Sequence, residues 1–421
     1  MDRSRIKSSL NDWHAWHERA LSSMVSRRHV PALPKAHSLA LLGVRRSGKT
    51  WLAVEAARAS GLRTIYYNFE DPLFYAEPDV AGIDTLLSVH TEYAGVEPEL
   101  LILDEVQNVD GWERWVRKTV DTGRYRLIVT GSSARLLSAE LATAIAGRVL
   151  AHEVWPLSLS EVLAFTGTSC RTASEYLGAA HAYLRWGGLP EVALTPDPMD
   201  KSRILRQYID DILLKDVISR HTIRAPRKLL QVVAYAMTNA ACLFSHNRIK
   251  GAFGVDVQTS QEYLGHLEEA FLAFAVPRFH PNLKVQARDA QKLYVVDTGL
   301  RNAYTRSTSE DIGRQAENAV YIELRRRGHE VTYWRNEDAE VDFVLRDGPG
   351  AVGAIQVTWA SLEPGETRDR EIRSLVACLE ALDLPEGTIL TLDREERLDV
   401  RGRRVIMQPV WQFLLGDEVR T

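Results

Sequence analysis

Five runs of mostly apolar residues stand close together in the first part of the chain, and stretches with helical spacing of apolar positions separate them. The runs show little of the polar alternation of a half-exposed strand, so they predict strands buried within a parallel sheet. The intervening stretches 51–59 and 113–122 predict helices. Strands that alternate with helices are typical of an α/β fold. The runs are 39–42, 64–69, 99–104, 126–130 and 149–155.

A glycine-rich turn joins the first run to the first helix. Residues 43–50 read GVRRSGKT and match G-x-x-x-x-G-K-[ST] at every specified position. Such a turn points backbone N–H groups and a helix N-terminus at phosphate oxygens, whereas the alternative is a strand-to-helix turn without a ligand. Lys49 would contact the β- and γ-phosphates, and Thr50 would offer its hydroxyl to Mg²⁺. The sequence therefore predicts ATP and Mg²⁺ as cofactors, with a nucleotide-contacting set of Gly43, Val44, Arg45, Arg46, Ser47, Gly48, Lys49, Thr50 and Trp51.

An acidic pair closes the third apolar run. Asp104 and Glu105 follow the residues 100–103, and the carboxyl end of a parallel strand is where ligands bind in this architecture. Asp104 is expected to hold the hydration shell of Mg²⁺, and Glu105 to polarise the attacking water. The alternative interpretation is an acidic pair that caps a helix.

Two more polar positions lie at the ends of the last strands. The run 126–130 leads into the hydroxyl-rich residues 130–133, where a side chain would hold the water or contact the γ-phosphate, or would cap the next helix. Arg148 precedes the run 149–155. It is a candidate arginine finger for the nucleotide of a neighbouring subunit, with a surface salt bridge as the open alternative.

The order of these motifs resembles a group of prokaryotic AAA-type P-loop ATPases with a C-terminal domain of unknown function. The resemblance implies that Ser132 acts as sensor 1, that Arg148 acts across a subunit boundary, and that the protein forms a homo-oligomer. It extends into the C-terminal part of the chain. It rests on GVRRSGKT (43–50), LILDEVQNVDGWE (101–113), VTGSSARLL (129–137), AGR (146–148), WPLSLSE (155–161), GGLPE (187–191), YVVDTG (294–299), AEN (316–318), AEVDF (339–343) and IQV (355–357).

The middle of the chain predicts helices. Residues 157–225 are expected to form the helical lid of the ATPase, with a break at the Gly-Gly-Leu-Pro of 187–190. Residues 226–305 predict three helices and a hairpin, as in a winged-helix domain. The span 226–300 holds eight Lys and Arg against six Asp and Glu. This small excess leaves DNA open as a partner, and equally leaves a packing module open.

The C-terminal residues 306–421 predict an αβββαβ unit. Its carboxylates Glu317, Glu340 and Asp342 resemble the metal-binding acids of the PD-(D/E)XK nuclease core. The third motif departs from that core because Gln356 and Thr358 stand where an acid and a lysine belong. No lysine is expected nearby, and Arg370 and Arg373 would be poor substitutes. A degenerate domain that binds or supports is therefore expected, and DNA binding by this domain stays open.

Composition limits the remaining choices. A net charge of −4 gives no global attraction to nucleic acid or to an anionic membrane. Three separated cysteines and a polar N-terminus predict a cytoplasmic protein without a membrane segment. We expect a Mg²⁺-dependent ATP hydrolase that acts on a partner; an ATP-gated nuclease and a slow nucleotide-dependent switch are the alternatives. The predicted domains are 1–36 (an N-terminal helical segment), 37–156, 157–225, 226–305 and 306–421.

Overall fold

The computed structural model describes residues 2–76, 78–131, 147–282, 286, 289–305 and 311–416. The chain divides into two compact units, residues 1–154 and 155–421. Within the described residues, no helix combines the length and the apolar character that crossing a membrane requires.

The first unit is built on a parallel sheet of five strands in the order β2-β3-β4-β1-β5. Every residue of β1 and β3 is buried, which fits the continuous apolar runs of the sequence. The predicted α/β fold is confirmed here. The strands are β1 (Ser38–Leu42), β2 (Thr64–Asn68), β3 (Leu100–Asp104), β4 (Arg126–Gly131) and β5 (Val149–Glu153).

Helices cover this sheet, and one of them comes from the N-terminal segment. On that helix the ring of Trp16 stacks on Tyr66 of β2 at 4.7 Å, and Trp13 donates its indole N–H to Asp71 at 2.9 Å. The helices are α1 (Arg3–Ser23), α2 (Lys49–Ser60), α3 (Pro72–Ala76), α4 (Val80–Ala94) and α5 (Trp112–Thr122), with a 3₁₀ turn at Val106–Asn108.

The second unit begins with helices, and the first of them starts at a capping motif that the sequence contains. Ser158 and Glu161 form a capping box, since each side chain bonds the backbone N–H of the other. The helix α7 ends at Trp186, where Gly187 takes a positive φ of 73°, so the predicted break at 187–190 is confirmed. The elements are α6 (Leu159–Thr166), α7 (Ala173–Trp186), α8 (Pro190–Leu194), α9 (Pro198–Asp211) and a π-helix (Ile212–Ser219).

Three helices and a small sheet follow. The sheet has the order β6-β8-β7 with antiparallel pairs, and the strand β6 is an addition to the hairpin that the sequence predicts. The elements are α10 (Pro226–Thr238), β6 (Cys242–Phe244), α11 (His246–Phe253), α12 (Val257–Glu269), β7 (Ala273–Val276), β8 (Gln291–Val295) and α13 (Thr298–Tyr304).

The chain closes on a mixed sheet of six strands in the order β13-β14-β12-β11-β10-β9. The predicted αβββαβ order is present, and β13, β14 and α16 extend it. Every residue of α14 from 315 to 324 is buried. The elements are α14 (Ile312–Arg326), β9 (Glu330–Arg335), β10 (Glu340–Asp347), β11 (Gly350–Val357), α15 (Glu366–Ala381), β12 (Glu386–Thr391), β13 (Glu396–Val400), β14 (Arg403–Pro409) and α16 (Val410–Leu415).

Candidate functional site

The loop between β1 and α2 requires glycine at two positions, Gly43 and Gly48. A Cβ on Gly43 would stand 2.2 Å from the carbonyl oxygen of Val154, and Gly48 has a φ of 94° immediately before α2. Only glycine meets both demands without strain. The loop therefore has no side chain at residues 43 and 48, beside the N-terminus of a twelve-residue helix, which is a favourable place for an anion.

Lys49 is held inside this loop. Its ammonium group donates to the carbonyl oxygens of Gly43 at 3.0 Å and Val44 at 3.1 Å, and the residue is 5% exposed. These contacts fix a positive charge beside the backbone cradle. The arrangement combines an ammonium group, a helix N-terminus and turning backbone in one place, which is the donor set that a polyphosphate requires.

Asp104 lies at the carboxyl edge of the sheet and accepts hydrogen bonds from three hydroxyl groups. One of them comes from a helix and two come from neighbouring strands. Its Oδ2 accepts from Thr50 Oγ1 at 2.9 Å and from the Tyr66 hydroxyl at 2.8 Å. Its Oδ1 accepts from the hydroxyl of Thr130. Burial and the neighbouring Asp104 carboxylate raise the pKa of Tyr66, so the phenol stays a donor. Thr50 and Asp104 form a pair of oxygen groups, and oxygen is what Mg²⁺ prefers.

Glu105 stands next in the chain in a left-handed backbone conformation with φ of 52°. Such a conformation costs a non-glycine residue on the order of 1–3 kcal/mol and is concentrated at functional sites. The Glu105 backbone N–H donates to Thr130 Oγ1 at 3.1 Å, and Gln107 Nε2 donates to the Glu105 carboxylate. Burial raises the pKa of Glu105, Lys49 opposes that rise, and Asp104 adds to it; the net shift is upward.

A second cluster of carboxylates lies in the second unit, and a lysine is at its centre. Lys292 Nζ of β8 lies 3.1 Å from Glu317 Oε1, 2.8 Å from Glu340 Oε1 and 2.8 Å from Asp342 Oδ1. The expectation that no lysine is nearby is wrong, because the ammonium group comes from a preceding strand and not from the third motif. Burial lowers the pKa of Lys292, but Asp342 and Glu317 outweigh it and hold that pKa well above its usual value.

The other members of this cluster are also engaged. Tyr294 donates its hydroxyl to Glu317 at 2.7 Å, and the backbone N–H of Val357 donates to Asp342 Oδ2 at 3.0 Å. Gln356 accepts from the backbone N–H of Asp342 at 3.2 Å and donates to Glu371 at 2.8 Å. The four predicted residues of the degenerate nuclease site are thus brought together: the three carboxylates contact the Lys292 ammonium group, and Gln356 contacts the backbone of Asp342.

Comparisons with family models divide the chain into three matches. An AAA domain matches residues 35–163, and two domains of unknown function, DUF8612 and DUF4143, match residues 156–311 and 312–413. The uncharacterized protein MJ1544 of Methanocaldococcus jannaschii is 30% identical over 398 residues, which cover 89% of this chain and 87% of the relative. The chain belongs to this family of AAA-domain proteins. An uncharacterized protein of Haemophilus influenzae is 29% identical over 72% of the chain and 78% of its own length.

Two solved structures match part of the chain with low scores. The RuvB Holliday junction branch migration motor of Thermotoga maritima is 15% identical, covers 66% of this chain and 90% of its own, and gives a TM-score of 0.31. DnaA of Aquifex aeolicus bound to AMPPCP is 14% identical, covers 62% and 88%, and gives 0.28. Scores of this size carry no argument about fold or function. The first unit of this AAA-domain protein is a P-loop nucleotide-binding domain on the strength of its family match and its sheet.

Two further predicted residues of the AAA domain are Ser132 and Arg148. Ser132 lies outside the described residues. Arg148 precedes β5 at the amino edge of the sheet, opposite the loop, where its carbonyl accepts from the N–H of Ser38. Its guanidinium pairs with Asp121 at 2.6 Å, so the salt bridge that the sequence left open is present. A contact with a neighbouring subunit's nucleotide stays a prediction.

Sequence reasoning missed two side chains around Asp104. The sequence predicts Thr130 only as one of the hydroxyls of 130–133, and Tyr66 only as part of a strand. Both point at Asp104 from β4 and β2, which flank β3 in the sheet. The sequence does contain a signal for both residues, because a polar side chain in a buried parallel strand needs a hydrogen-bond partner. The sheet order that identifies the partner is not readable from the spacing.

Two further family motifs meet in the second unit. The carboxylate of Asp297 accepts from the backbone N–H of Gly188 at 2.7 Å and of Leu300 at 3.0 Å. A Cβ on Gly187 would stand 2.0 Å from Asp297 Oδ1, and one on Gly299 would stand 2.1 Å from the carbonyl oxygen of Trp186. The motifs GGLPE and YVVDTG therefore form a packing contact, which we call the glycine clasp (residues 187–188 with 297–299).

Proposed function

We propose that this AAA-domain protein is a Mg²⁺-dependent ATP hydrolase. The observation that carries the proposal is the chain of contacts from Thr50 through Asp104 and Thr130 to Glu105, beside the buried ammonium of Lys49. The backbone cradle fits phosphates, and the hydroxyl and carboxylate oxygens of Thr50 and Asp104 fit Mg²⁺. Bound Mg²⁺ would neutralise charge on the phosphates.

Each residue then has a separate task. Lys49 binds the terminal phosphates, and Asp104 orients the Thr50 hydroxyl and the water around the metal. Glu105 accepts a hydrogen bond from the attacking water and orients it. The raised pKa of Glu105 suits a base better than an ordinary surface carboxylate does, because proton transfer is favoured when the pKa lies closer to the working pH. Glu105 directly follows the last residue of β3, and its left-handed backbone conformation marks the point where the strand ends.

The test of this proposal is Glu105→Gln in the full chain. The amide keeps the shape but removes the base, so the hydrolysis rate should fall by at least about 100-fold while ATP binds with unchanged affinity. The measurements are phosphate release and equilibrium binding of ATP with Mg²⁺.

A matched control is Glu113→Gln, in the first turn of α5. It changes the same chemical group outside the site and should keep the wild-type rate. Wild-type phosphate release by Glu105→Gln would remove Glu105 from the role of base.

The middle of the chain gives a reason to test DNA as the partner. The elements from α10 to β8 run helix, strand, helix, helix, strand, strand, which supports a winged-helix domain. In this proposal DNA raises the ATPase rate, and added salt weakens the effect because phosphate contacts release counterions. An ATPase rate that is equally slow with and without DNA at low salt favours the nucleotide-dependent switch.

We propose a supporting role, without nuclease chemistry, for the carboxylate cluster around Lys292. The three acids that resemble metal ligands of a nuclease core, Glu317, Glu340 and Asp342, already bind the ammonium group. The neutral Gln356 stands at the third motif. The cluster then ties β8 to α14 and β10. Cleavage of DNA with Mn²⁺ that disappears in Asp342→Ala would favour the nuclease alternative instead.

A further inference from the structure

A cavity of about 930 Å³ lies in the second unit where α7, α9 and α13 meet. Its volume is in the range of about 300–1,000 Å³ that is common for small-molecule sites. Residues three or four apart share a face of a helix, and each of these helices turns one such face toward the cavity. The lining residues on these faces are His181 and Arg185 of α7, Ser202 and Arg206 of α9, and Gly299 and Asn302 of α13.

The lining of this cavity is positively charged. Arg185 and Arg206 belong to it, and none of the described residues that line it is Asp or Glu. Asp311, which directly precedes the lining residue Ile312, is paired with the buried Arg301 at 3.1 Å. A cleft lined by one sign of charge attracts ligands of the opposite sign. The cavity is therefore suited to an anion, although the whole chain has a net charge of −4.

The two lining guanidinium groups have no acidic partner. Within the part of the chain that the structure describes, neither Arg185 nor Arg206 pairs with a carboxylate, whereas the neighbouring Arg203 pairs with Asp200 at 3.3 Å. Arg185 Cζ lies 4.7 Å from the centroid of the Trp186 ring, and this cation–π contact holds it at the cavity. A guanidinium offers five N–H donors in a fork that matches phosphate oxygens. Two such groups without acidic partners favour a phosphate as the anion.

The rest of the lining suits an organic body attached to that phosphate. Leu205 and Ile312 provide apolar surface, and Trp186 and Tyr304 provide aromatic rings. Nucleobases stack on aromatic side chains without regard to sequence. The side-chain amide of Asn302 donates to two carbonyl oxygens at the end of α7, at 3.1 and 2.9 Å, so carbonyl groups that would repel an anion are hydrogen-bonded. Inorganic phosphate alone would leave most of this lining without contact.

We propose that the cavity binds a nucleotide unit, with its phosphate on Arg185 and Arg206 and its base against the apolar and aromatic residues. A free nucleotide and the phosphorylated end of a single-stranded nucleic acid offer this same chemistry. The site is separate from the proposed ATPase site, because both arginines belong to the second unit and the loop of residues 43–50 belongs to the first.

The first experiment measures binding to the full chain without ATP. AMP and UMP, titrated by calorimetry, represent the free nucleotide, and a short oligothymidylate with a 5′-phosphate and a 3′-fluorophore, followed by anisotropy, represents the single strand. We expect a Kd below about 1 mM for at least one probe. Binding of AMP or UMP identifies a free nucleotide as the ligand, and binding of the oligonucleotide alone identifies the strand. Absence of binding by all three probes would overturn the proposal.

Variants then assign the binding to the cavity. Arg185→Gln and Arg206→Gln each remove charged hydrogen bonds to the phosphate, so each should weaken binding by at least about tenfold. Both side chains are exposed, so the fold should be kept, and the thermal midpoint checks this. Arg171→Gln is the matched control, because this exposed arginine precedes α7 and lies roughly 20 Å from its last turn at about 1.5 Å per residue.

A last variant separates the cavity from the phosphate loop. Lys49→Ala should bind the same probe as the wild type does, whatever its affinity for ATP. Wild-type affinity in both Arg185→Gln and Arg206→Gln would contradict the proposal. Loss of probe binding in Lys49→Ala, with the two arginine variants unaffected, would place the probe at the loop of residues 43–50 instead.

Discussion

Charged side chains in this protein are buried where other groups compensate them. Lys49 is surrounded by the carbonyl oxygens of its own loop, and Lys292 by three carboxylates. The two lysines differ in whether their charge is available to a ligand. Backbone carbonyls are dipoles and carry no net charge, so the charge of Lys49 remains available to a ligand. The charge of Lys292 is neutralised by the carboxylates around it.

Replacing Lys292 should therefore damage stability. Lys292→Met leaves Glu317 and Asp342 buried without their counter-ion, and removing one partner of such a group typically costs about 3–5 kcal/mol. Urea unfolding should show this loss in the free energy of unfolding, and Lys228→Met, an exposed lysine of α10, should change it by less than about 0.5 kcal/mol. Equal stability of Lys292→Met and wild type would mean that the carboxylates do not need this charge.

The two lysines also mark the limit of sequence reasoning about single residues. Lys49 belongs to a contiguous motif whose eight positions follow one another, so the sequence alone predicts its place. Lys292 contacts a residue 50 positions away, and the contact depends on β8 reaching α14 and β10. The spacing of residues along the chain does not predict that β8 lies beside α14 and β10.

At the scale of elements, the glycine clasp explains why glycines stand at two helix boundaries. Asp297 is fully buried between α7, α8 and α13, and burial raises the pKa of its carboxyl to about 6, against the pull of the N–H groups of Gly188, Leu300 and Gly299. The folded state therefore binds this proton more tightly than the unfolded state does. The stability that Asp297 contributes is complete below pH 4 or so and is lost as the pH rises through about 6.

Asp297→Asn tests this sign. The amide does not titrate, so the stability of the wild type relative to the variant should fall by up to about 3 kcal/mol between pH 4 and pH 7. Urea unfolding of both proteins across that range measures the difference. A difference that stays constant with pH would show that Asp297 titrates alike in the folded and unfolded chains.

Elements with strong patterns were predictable, and those shaped by their neighbours were not. The strands of the first unit, the break at Gly187 and the αβββαβ order follow from apolar runs, glycines and caps. The three residues of β6 are too few to show a period, and the π-helix has the same apolar spacing as an α-helix over eight residues. Contacts made elsewhere in the chain determine both.

At the scale of the whole molecule, the open question is whether copies of the chain complete each other's sites. Arg148 lies at the amino edge of the sheet and pairs with Asp121, so it does not reach the phosphate loop of its own chain. The domain limits and the homo-oligomer stay predictions. A role for Arg148 between subunits requires one of two things. Its guanidinium either leaves Asp121, or it contacts the nucleotide of a neighbouring subunit while still paired with Asp121.

Mixing variants tests this role. Arg148→Ala should lose most hydrolysis but recover part of it when mixed with Glu105→Gln, because the second protein supplies the arginine to an intact base. Asp121→Asn is the control for the salt bridge alone and should keep hydrolysis. No recovery in mixed assemblies, with co-assembly verified by mass, would leave Arg148 with the salt bridge only.

The central claim is that a nucleotide binds at the loop of residues 43–50, and the most direct test is the affinity of Lys49→Ala for ATP. With Mg²⁺ present, isothermal titration should show affinity at least about tenfold below that of the wild type, a loss of more than about 1.4 kcal/mol. Lys118→Ala, which removes an exposed lysine of α5, should bind as the wild type does. Unchanged ATP affinity in a folded Lys49→Ala protein would contradict the account.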